Sequence, residues 1–269
     1  MLNKDEMPEL PEVETVVRSL APSLPRRRII RAEFKSRFVT PGNRDALASA
    51  VANRTISAIR RHGKFIVIEL DRGHLIVHLG MTGKLLLDAT PGTHAYGVFY
   101  LDNGVLVYDD PRQFGRIEYA QELPARVARL GPDPLVVGFT EFEQDIRSRR
   151  GVIKPLLLNQ RFLRGIGNIY ADEALHKARI HPKAAASRLS RERTFRLFQA
   201  INDVLRLAIE HRGSSVSDYV DGAGERGSFQ LLHRVYGRVG EPCFECGAPI
   251  RRIVIAQRGT HYCPRCQRR

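Results

Sequence analysis

All the cysteines of this chain lie near its C-terminal end, in two short motifs of the same form. Cys243 and Cys246 form one C-x-x-C pair, and Cys263 and Cys266 form the other. Two such pairs at this spacing predict a four-thiolate zinc site, because each pair can chelate the metal from a single turn. The segment between them, 250–262, is interpreted as a β-hairpin that brings the pairs together. The alternative is two disulfides, which the lack of cysteine elsewhere in the chain disfavours.

The chain is strongly basic, with a formal net charge of +14 at pH 7. The cysteine-containing end shares this charge, since nine arginines and three glutamates occur from Glu225 onward. Such an excess predicts a polyanionic partner, and DNA, RNA or an anionic membrane would each satisfy it. No long amphipathic basic helix is evident, so we rank a membrane last. No window approaches the 18 or so consecutive apolar residues of a membrane span. Residues 1–10 contain acidic residues and lack the apolar segment of a signal peptide. We therefore predict a cytoplasmic protein.

The first half of the chain predicts one helix followed by a β-sandwich. The helix follows Leu10, where Pro11 suits the first turn and Val13 and Val16 repeat at helical spacing. Beyond it, residues 29–119 consist of short β-rich runs separated by turn signals such as Asp-Arg-Gly and Asp-Asn-Gly.

The second half predicts helices. Gly and Pro are dense in residues 130–135, which predicts a domain boundary there. Helices are expected at 154–160, 168–177 and 194–209, with Phe195 on the apolar face of the last, and 214–219 could begin another. We therefore predict an α+β protein. Its three domains are a β-sandwich domain at 7–130, a helical domain at 131–234 and a zinc-binding hairpin domain at 235–269.

Two short segments could carry chemistry. Residues 165–167 are glycine-rich and precede Asn168, a good N-cap, so this helix start could bind phosphate; a capped helical hairpin without a ligand fits equally. At the other end, loss of Met7 would leave Pro8 with a free secondary amine. An α-amine has a pKa of about 8 and is a ready nucleophile toward a sugar C1′, with Glu9 as neighbouring acid or base. Proline and glutamate are also ordinary residues at a helix start.

Motifs along the whole chain resemble, in order, those of the bacterial formamidopyrimidine-DNA glycosylases. They occupy residues 7–15, 61–64, 78–83, 110–115, 165–171, 235–238 and 257–266. The resemblance implies a bifunctional enzyme of base-excision repair that excises oxidised purines (8-oxoguanine and formamidopyrimidines) and is also an abasic-site lyase. It implies a Schiff base on an N-terminal proline followed by β,δ-elimination. It further implies a catalytic N-terminal domain, a helix-two-turn-helix element, one structural zinc ion and damaged double-stranded DNA as the partner. We expect a monomer.

The resemblance also assigns a role to each matched residue. Pro8 matches the nucleophile that forms the Schiff base. Glu9 matches the general acid that protonates the deoxyribose or exchanges protons during ring opening. Lys64, placed at the start of a strand, matches a lysine that assists β-elimination and touches phosphate. Arg258 matches the arginine linked to δ-elimination and phosphate binding.

The remaining matched residues are assigned to DNA binding. His94, Arg149 and Asn168 fall where the family contacts the DNA backbone. Three more match the residues that fill the gap left by an extruded base: Met81, Arg112 and Phe114. Apolar or planar side chains suit that task, and an arginine can hydrogen-bond the orphaned partner base.

The sequence departs from the family pattern in two places. Residues 1–6 precede the expected start, and if they stay attached Pro8 is acylated and cannot attack; the chain would then be a non-catalytic DNA-binding protein. We expect Met7 to be the true initiator. Gln113 occupies a position where members of the family commonly have a second arginine. We expect this difference to have only a small effect on function. A further alternative is an endonuclease VIII-like glycosylase for oxidised pyrimidines, although the motifs at 8–15 and 257–262 favour the purine branch.

Overall fold

The computed structural model describes residues 7–216 and 218–268, which form two compact units. One unit contains residues 7–129 together with 211–228, and the other contains 130–210 together with 229–268. The expectations for residues 1–6 lie outside the described residues. The division into three domains remains a prediction. Within the described residues, no helix is both long and apolar enough to cross a membrane.

The first unit contains two four-stranded sheets in which every pairing is antiparallel. The strands in chain order are β1 (Ile29–Phe34), β2 (Ile56–His62), β3 (Phe65–Leu70), β4 (His74–His78), β5 (Lys84–Leu87), β6 (Ala95–Leu101), β7 (Val105–Asp109) and β8 (Arg116–Ala120). One sheet has the order β1-β6-β7-β5 and the other β2-β3-β4-β8. The predicted sandwich is confirmed, and its two turn signals connect β3 to β4 and β6 to β7.

One apolar core joins both sheets to helix α1 (Leu10–Leu20). Val16 of the helix, Ile66 and Val77 of one sheet and Phe99 of the other are all fully buried. Each such side chain contributes about 1.5–3 kcal/mol through burial. This core fixes the start of α1 against the sandwich.

A second helix, α2 (Arg44–Val51), interrupts the β-rich region and was not predicted. Asn43 caps it, accepting a hydrogen bond from the Ala46 N–H at 2.9 Å. Only Val51 among its residues is fully buried, so its sequence has little of the periodicity that identifies a helix. A short helix, α3 (Ala125–Ala128), closes the contiguous part of this unit.

The second unit combines helices with one β-hairpin. Its elements are α4 (Phe139–Ser148), α5 (Ile153–Leu158), α6 (Asn168–Lys177), α7 (Arg191–Glu210), β9 (Arg251–Ile255) and β10 (Arg258–Tyr262). The helical region and the hairpin between the cysteine pairs are therefore confirmed.

Two local expectations for the helices were wrong. Residues 214–216 and 218–219 form no helix. Phe195 of α7 is 42% exposed and packs edge-on against Phe139, with ring centroids 5.0 Å apart, because the buried face of α7 is centred on Leu197, Ile201 and Val204 instead.

Candidate functional site

The start of α1 is locked by a reciprocal pair of glutamates. Glu9 is the N-cap; its N–H donates to Glu12 Oε2 at 2.9 Å, and its carboxylate accepts from the backbone N–H of Glu12. This capping box satisfies two helix-end donors at once. Glu9 is 1% exposed and the preceding Pro8 is also buried. The proline is thus held directly in front of a fixed helix start.

The returning segment 211–228 reinforces this arrangement within the same unit. The Ser214 N–H donates to Glu12 Oε1 at 2.7 Å, and the Tyr219 hydroxyl donates to the Glu12 carbonyl at 3.0 Å. Burial, followed by the charge of Glu12, raises the pKa of Tyr219, so its hydroxyl keeps its proton. Gly213 has a φ of +78°, and a Cβ there would lie 2.7 Å from Glu12 Oε1, so a larger residue would be strained and would displace this carboxylate. Chain order alone gave no sign that these residues meet.

Lys64 was expected to be the first residue of a strand. It lies instead in the turn between β2 and β3, one residue before β3 begins. Gly63 enables the turn with a φ of 63°. In the adjacent strand, His78 pairs with Phe65, the residue after Lys64. Burial, followed by the charges of Lys64 and Arg126, lowers the pKa of His78 to about 4. His78 is therefore neutral near pH 7, and its Nδ1 accepts the Gly80 N–H at 3.1 Å.

Two loops of the same unit are joined by one buried carboxylate. Asp110 is fully buried and accepts hydrogen bonds from the Thr82 hydroxyl at 2.6 Å and the Gly115 N–H at 2.8 Å. Gly80 lies so close that a Cβ there would be 2.5 Å from the Gly115 nitrogen. Residues 79–83 and 110–115 therefore form one rigid platform.

This platform carries the three residues expected to fill the gap in DNA. Met81 is half-buried on one loop, while Arg112 and Phe114 are exposed on the other, with the Arg112 Cζ 4.8 Å from the Phe114 ring centroid. Phe114 is 53% exposed, so its ring is available to contact a ligand. The Asp110 N–H donates to the His94 carbonyl at 3.0 Å, so exposed His94 adjoins the same platform.

Gln113, which lies between Arg112 and Phe114, is turned into the protein. Its backbone has a φ of 55°, and its Oε1 accepts a hydrogen bond from the Ser36 hydroxyl at 2.6 Å. The side chain therefore supports the loop, and the two flanking residues remain exposed.

In the second unit, Asn168 is buried at the first position of α6, and the expected capping role was wrong. Gly167 is the N-cap, and Asn168 Nδ2 donates to the Gly259 carbonyl at 2.9 Å. The side chain is committed to β10, so it does not cap its own helix. Because Gly259 follows Arg258, this bond fixes the arginine relative to the start of α6.

A buried ionic cluster, which sequence reasoning missed, strengthens the same connection. Lys154 and Asp172 form an ion pair and are both shielded from solvent; Lys154 also donates to the Asn168 carbonyl at 3.2 Å. Asp172 accepts from the His261 N–H at 2.8 Å. Removing one partner of such a pair is costly, since it leaves an uncompensated buried charge. One feature of the sequence could have predicted this cluster: Lys154 lies within an otherwise apolar run, Ile-Lys-Pro-Leu-Leu-Leu, where a buried lysine needs a charged partner.

Arg149 stands apart from this cluster. It ends α4, is exposed, and forms an ion pair with Asp145 at 3.1 Å. None of its described contacts links it to Asn168 or Arg258.

The four cysteines meet at the base of the hairpin. Their sulfur atoms all lie within 4.8 Å of one another, with Cys243–Cys266 at 3.9 Å and Cys246–Cys263 at 3.4 Å. Tetrahedral zinc with Zn–S bonds of about 2.3 Å requires sulfur separations of about 3.8 Å. The two sulfur separations are longer than a disulfide bond of about 2.05 Å, and the arrangement favours a shared metal over the disulfide alternative. The site fits one structural zinc ion, which would clamp the two ends of the hairpin region together.

Comparisons with known proteins agree with this architecture. Three family models match: the formamidopyrimidine-DNA glycosylase N-terminal domain at residues 7–117, the formamidopyrimidine-DNA glycosylase H2TH domain at 130–220, and the zinc finger found in FPG and IleRS at 240–269. A β-sandwich, a helix-two-turn-helix region and a zinc finger together define a class of DNA glycosylases.

Individual relatives narrow this class. A formamidopyrimidine-DNA glycosylase of Solibacter usitatus is 56% identical over 98% of this chain and 100% of its own length. One of Herpetosiphon aurantiacus is 46% identical over 97% of this chain and 100% of its own. The chain belongs to the formamidopyrimidine-DNA glycosylase family.

Solved structures show the same similarity. The MutM (Fpg) protein of Thermus thermophilus matches with a TM-score of 0.86 and 39% identity, over 97% of this chain and 98% of that one. A Lactococcus lactis Fpg mutant bound to DNA containing Fapy-dG matches with a TM-score of 0.88 and 37% identity, over 97% of this chain and 100% of that one.

Proposed function

We propose that this chain, a DNA glycosylase of base-excision repair by its family, excises oxidised purines from duplex DNA and then cleaves the strand at the resulting abasic site. The observation that carries the proposal is the buried Pro8-Glu9 pair at the locked start of α1. A Lactococcus lactis Fpg in complex with DNA containing an abasic site, similar at a TM-score of 0.88, supports damaged DNA as the partner. We infer that the enzyme acts as a monomer in the cytoplasm.

The proposed chemistry begins at the nitrogen of Pro8 in a chain that starts there. The amine attacks C1′, the bond from C1′ to the base breaks, and the base leaves with a proton. Glu9 protonates the ring oxygen of the deoxyribose as the sugar opens, which yields an iminium at C1′. The cationic iminium accepts electrons, so loss of a C2′ proton expels the 3′ phosphate. A second elimination expels the 5′ phosphate.

The other two proposed catalytic residues are cations. Lys64 is proposed to bind phosphate and to assist the first elimination, while Arg258 binds phosphate and assists the second. Both residues suit developing negative charge on a leaving phosphate. The neutral state of His78 beside Lys64 adds no competing positive charge near pH 7.

The platform of residues 79–83 and 110–115 is proposed to stabilise the extruded state. Met81 and Phe114 would occupy the space that the damaged base vacates, and Arg112 would hydrogen-bond the base left opposite. His94, Asn168 and Arg149 would hold the backbone.

A substrate panel with one conservative variant tests the proposal. Duplexes containing 8-oxoguanine, thymine glycol or a ready-made abasic site should be cut in the order expected of a purine enzyme, with thymine glycol the poorest base substrate. Glu9→Gln should retain DNA binding and the helix cap, because its amide oxygen can still accept the Glu12 N–H, yet it should excise the base far more slowly. A preference for thymine glycol would support the pyrimidine branch instead, and binding without any cutting by a chain that starts at Pro8 would refute the enzymatic proposal.

A further inference from the structure

Helix α6 directs a row of three buried polar side chains at the zinc-binding region: Asn168, Asp172 and His176. Residues four apart lie above one another on the same face of a helix. The first two bond backbone groups of strand β10. The third contacts a sulfur atom instead, since Nε2 of His176 lies 3.6 Å from Sγ of Cys243. This face of α6 therefore contacts both the hairpin and a residue of the zinc site.

Both partners of this contact are buried. His176 is 5% exposed and Cys243 is 2% exposed. A polar ring that is shielded from water is costly unless it makes a hydrogen bond. A buried thiolate has the same requirement because it is charged. The imidazole and the sulfur therefore satisfy each other.

Zinc determines which atom of this pair donates the hydrogen bond. A cysteine that binds zinc is a thiolate without a proton, so its sulfur can only accept. The hydrogen bond then requires a proton on Nε2 of His176. In a metal-free thiol, by contrast, the sulfur itself could donate to an unprotonated Nε2. Bound zinc therefore selects the form of the imidazole that donates to sulfur.

The second C-x-x-C pair obtains such a donor in a different way. Sγ of Cys263 accepts from the backbone N–H of Cys266, at 3.4 Å, within its own pair. Four thiolates carry more negative charge than one zinc ion neutralises, so each N–H donor to sulfur stabilises the site. For Cys243 in the first pair, the donor is a side chain of a separate helix.

We propose that His176 is a positioning residue of the zinc site. Its Nε2–H donates to the thiolate of Cys243, which stabilises bound zinc and attaches the first C-x-x-C pair to α6. The inference concerns the metal site alone, so it does not rest on the proposed reaction or on the identity of the damaged base.

Two substitutions distinguish hydrogen bonding from packing. His176→Phe keeps a ring in the same place but has no donor. His176→Gln is not aromatic, but it carries an N–H donor the same number of bonds from Cα. In competition with a chromophoric chelator, His176→Phe should bind zinc about 10–100-fold more weakly than the parent protein. His176→Gln should retain most of the affinity. Parent-like affinity in His176→Phe, or a larger loss in His176→Gln than in His176→Phe, would refute the inference and leave the proposed function intact.

Cobalt substitution adds a spectroscopic signature that depends on the sulfur and not on packing. A Co²⁺ ion held by four thiolates absorbs in the near ultraviolet through charge transfer from sulfur to metal. A hydrogen bond stabilises the sulfur lone pairs, so its loss should move this band to longer wavelength. The shift should occur in His176→Phe and be largely reversed in His176→Gln. An identical band in His176→Phe and the parent would contradict the proposed bond.

Lys177→Gln is the matched control, because it removes a charged donor from the next residue of α6, where the ammonium pairs with Asp203 at 3.2 Å. It should leave both the chelator competition and the cobalt band unchanged. A change as large as that of His176→Phe would attribute the effect to local charge, against the inference.

A measurement on the parent protein does not depend on how the variants fold. Nitrogen NMR of the zinc-loaded protein should show a proton on Nε2 of His176. A ring protonated at Nδ1 alone could not donate to Cys243 and would overturn the inference.

Discussion

Asp110→Asn is expected to impair removal of a base more than cleavage at a ready-made abasic site. The asparagine can still accept from the Thr82 hydroxyl through one oxygen, but its NH₂ group then faces the Gly115 N–H, which loses its acceptor. Loss of a buried hydrogen bond to a charged group costs about 1.5–3 kcal/mol. At about 1.4 kcal/mol per factor of ten, that is roughly a 10- to 150-fold decrease in the population of the correctly formed platform.

The assay compares kcat/KM on a paired 8-oxoguanine duplex with the rate of cutting of an abasic duplex. Excision requires Met81, Arg112 and Phe114 to offset an unstacking cost of a few kcal/mol, whereas a site already without a base requires less. Excision should therefore decrease by up to the factor above, and abasic-site cleavage by less. Phe114→Ala should show the same selective loss without disturbing Asp110.

Asp109→Asn is the matched control, since it makes the same substitution one residue earlier, at the end of β7. It should behave as the parent protein. If Asp110→Asn leaves excision unchanged while the protein remains folded, or reduces both activities equally, the platform does not have the proposed role.

Three further predictions concern the metal, the salt dependence and the effect of pH. Metal analysis of freshly purified protein should find one zinc ion per chain. Cys246→Ser should lose zinc, and this variant's DNA binding should weaken more than its chemistry at Pro8. Zinc-free protein with normal DNA binding would contradict this prediction. The affinity for DNA should fall steeply with salt, and Arg258→Ala should reduce the log-log slope by about one, whereas an unchanged slope would exclude a phosphate contact. Burial, and then the charges of Lys64 and Arg126, lower the pKa of His78 from 6.5 to about 4 in the folded protein. Between these two pH values the unfolded chain binds a proton that the folded protein does not, so the free energy of unfolding should decrease as the pH falls from about 6.5 to about 4. His78→Gln should reduce the slope of unfolding free energy against pH by up to about 1.4 kcal/mol per unit, and an equal slope in the variant and the parent would show that His78 does not titrate as described.

Local sequence patterns predicted most of the elements because each depends on neighbouring residues. The sandwich turns at Gly73 and Gly104, the helix α6 and the cysteine pairs all have signals within a few positions. The capped helix at Asn43 was missed because its apolar periodicity is weak. Phe195 was assigned to the buried face of α7, although it lies outside that face. Helical spacing alone did not distinguish which of two apolar faces of α7 is buried.

The contacts that shape the site could not be predicted from local patterns, because their partners are distant along the chain. Ser214 is far from Glu12, His261 from Asp172, and Gln113 from Ser36, and each pair meets through a hydrogen bond that no periodicity encodes. Asn168 is an example. An asparagine at a helix start is ordinarily predicted to be the N-cap, but its hydrogen bond to the distant Gly259 carbonyl shows that it links α6 to β10 instead.

Borohydride trapping tests the central claim most directly, namely that the amine of Pro8 is the nucleophile. Two chains should be compared, one beginning at Pro8 and one retaining residues 1–6, each mixed with an abasic duplex and sodium borohydride. Reduction of the iminium should join the first chain to DNA, and peptide mapping should place the cross-link on Pro8. The second chain should bind the duplex but neither cross-link nor cut, because its Pro8 nitrogen is acylated. A cross-link that maps only to a lysine such as Lys64, with full activity in the longer chain, would contradict the account.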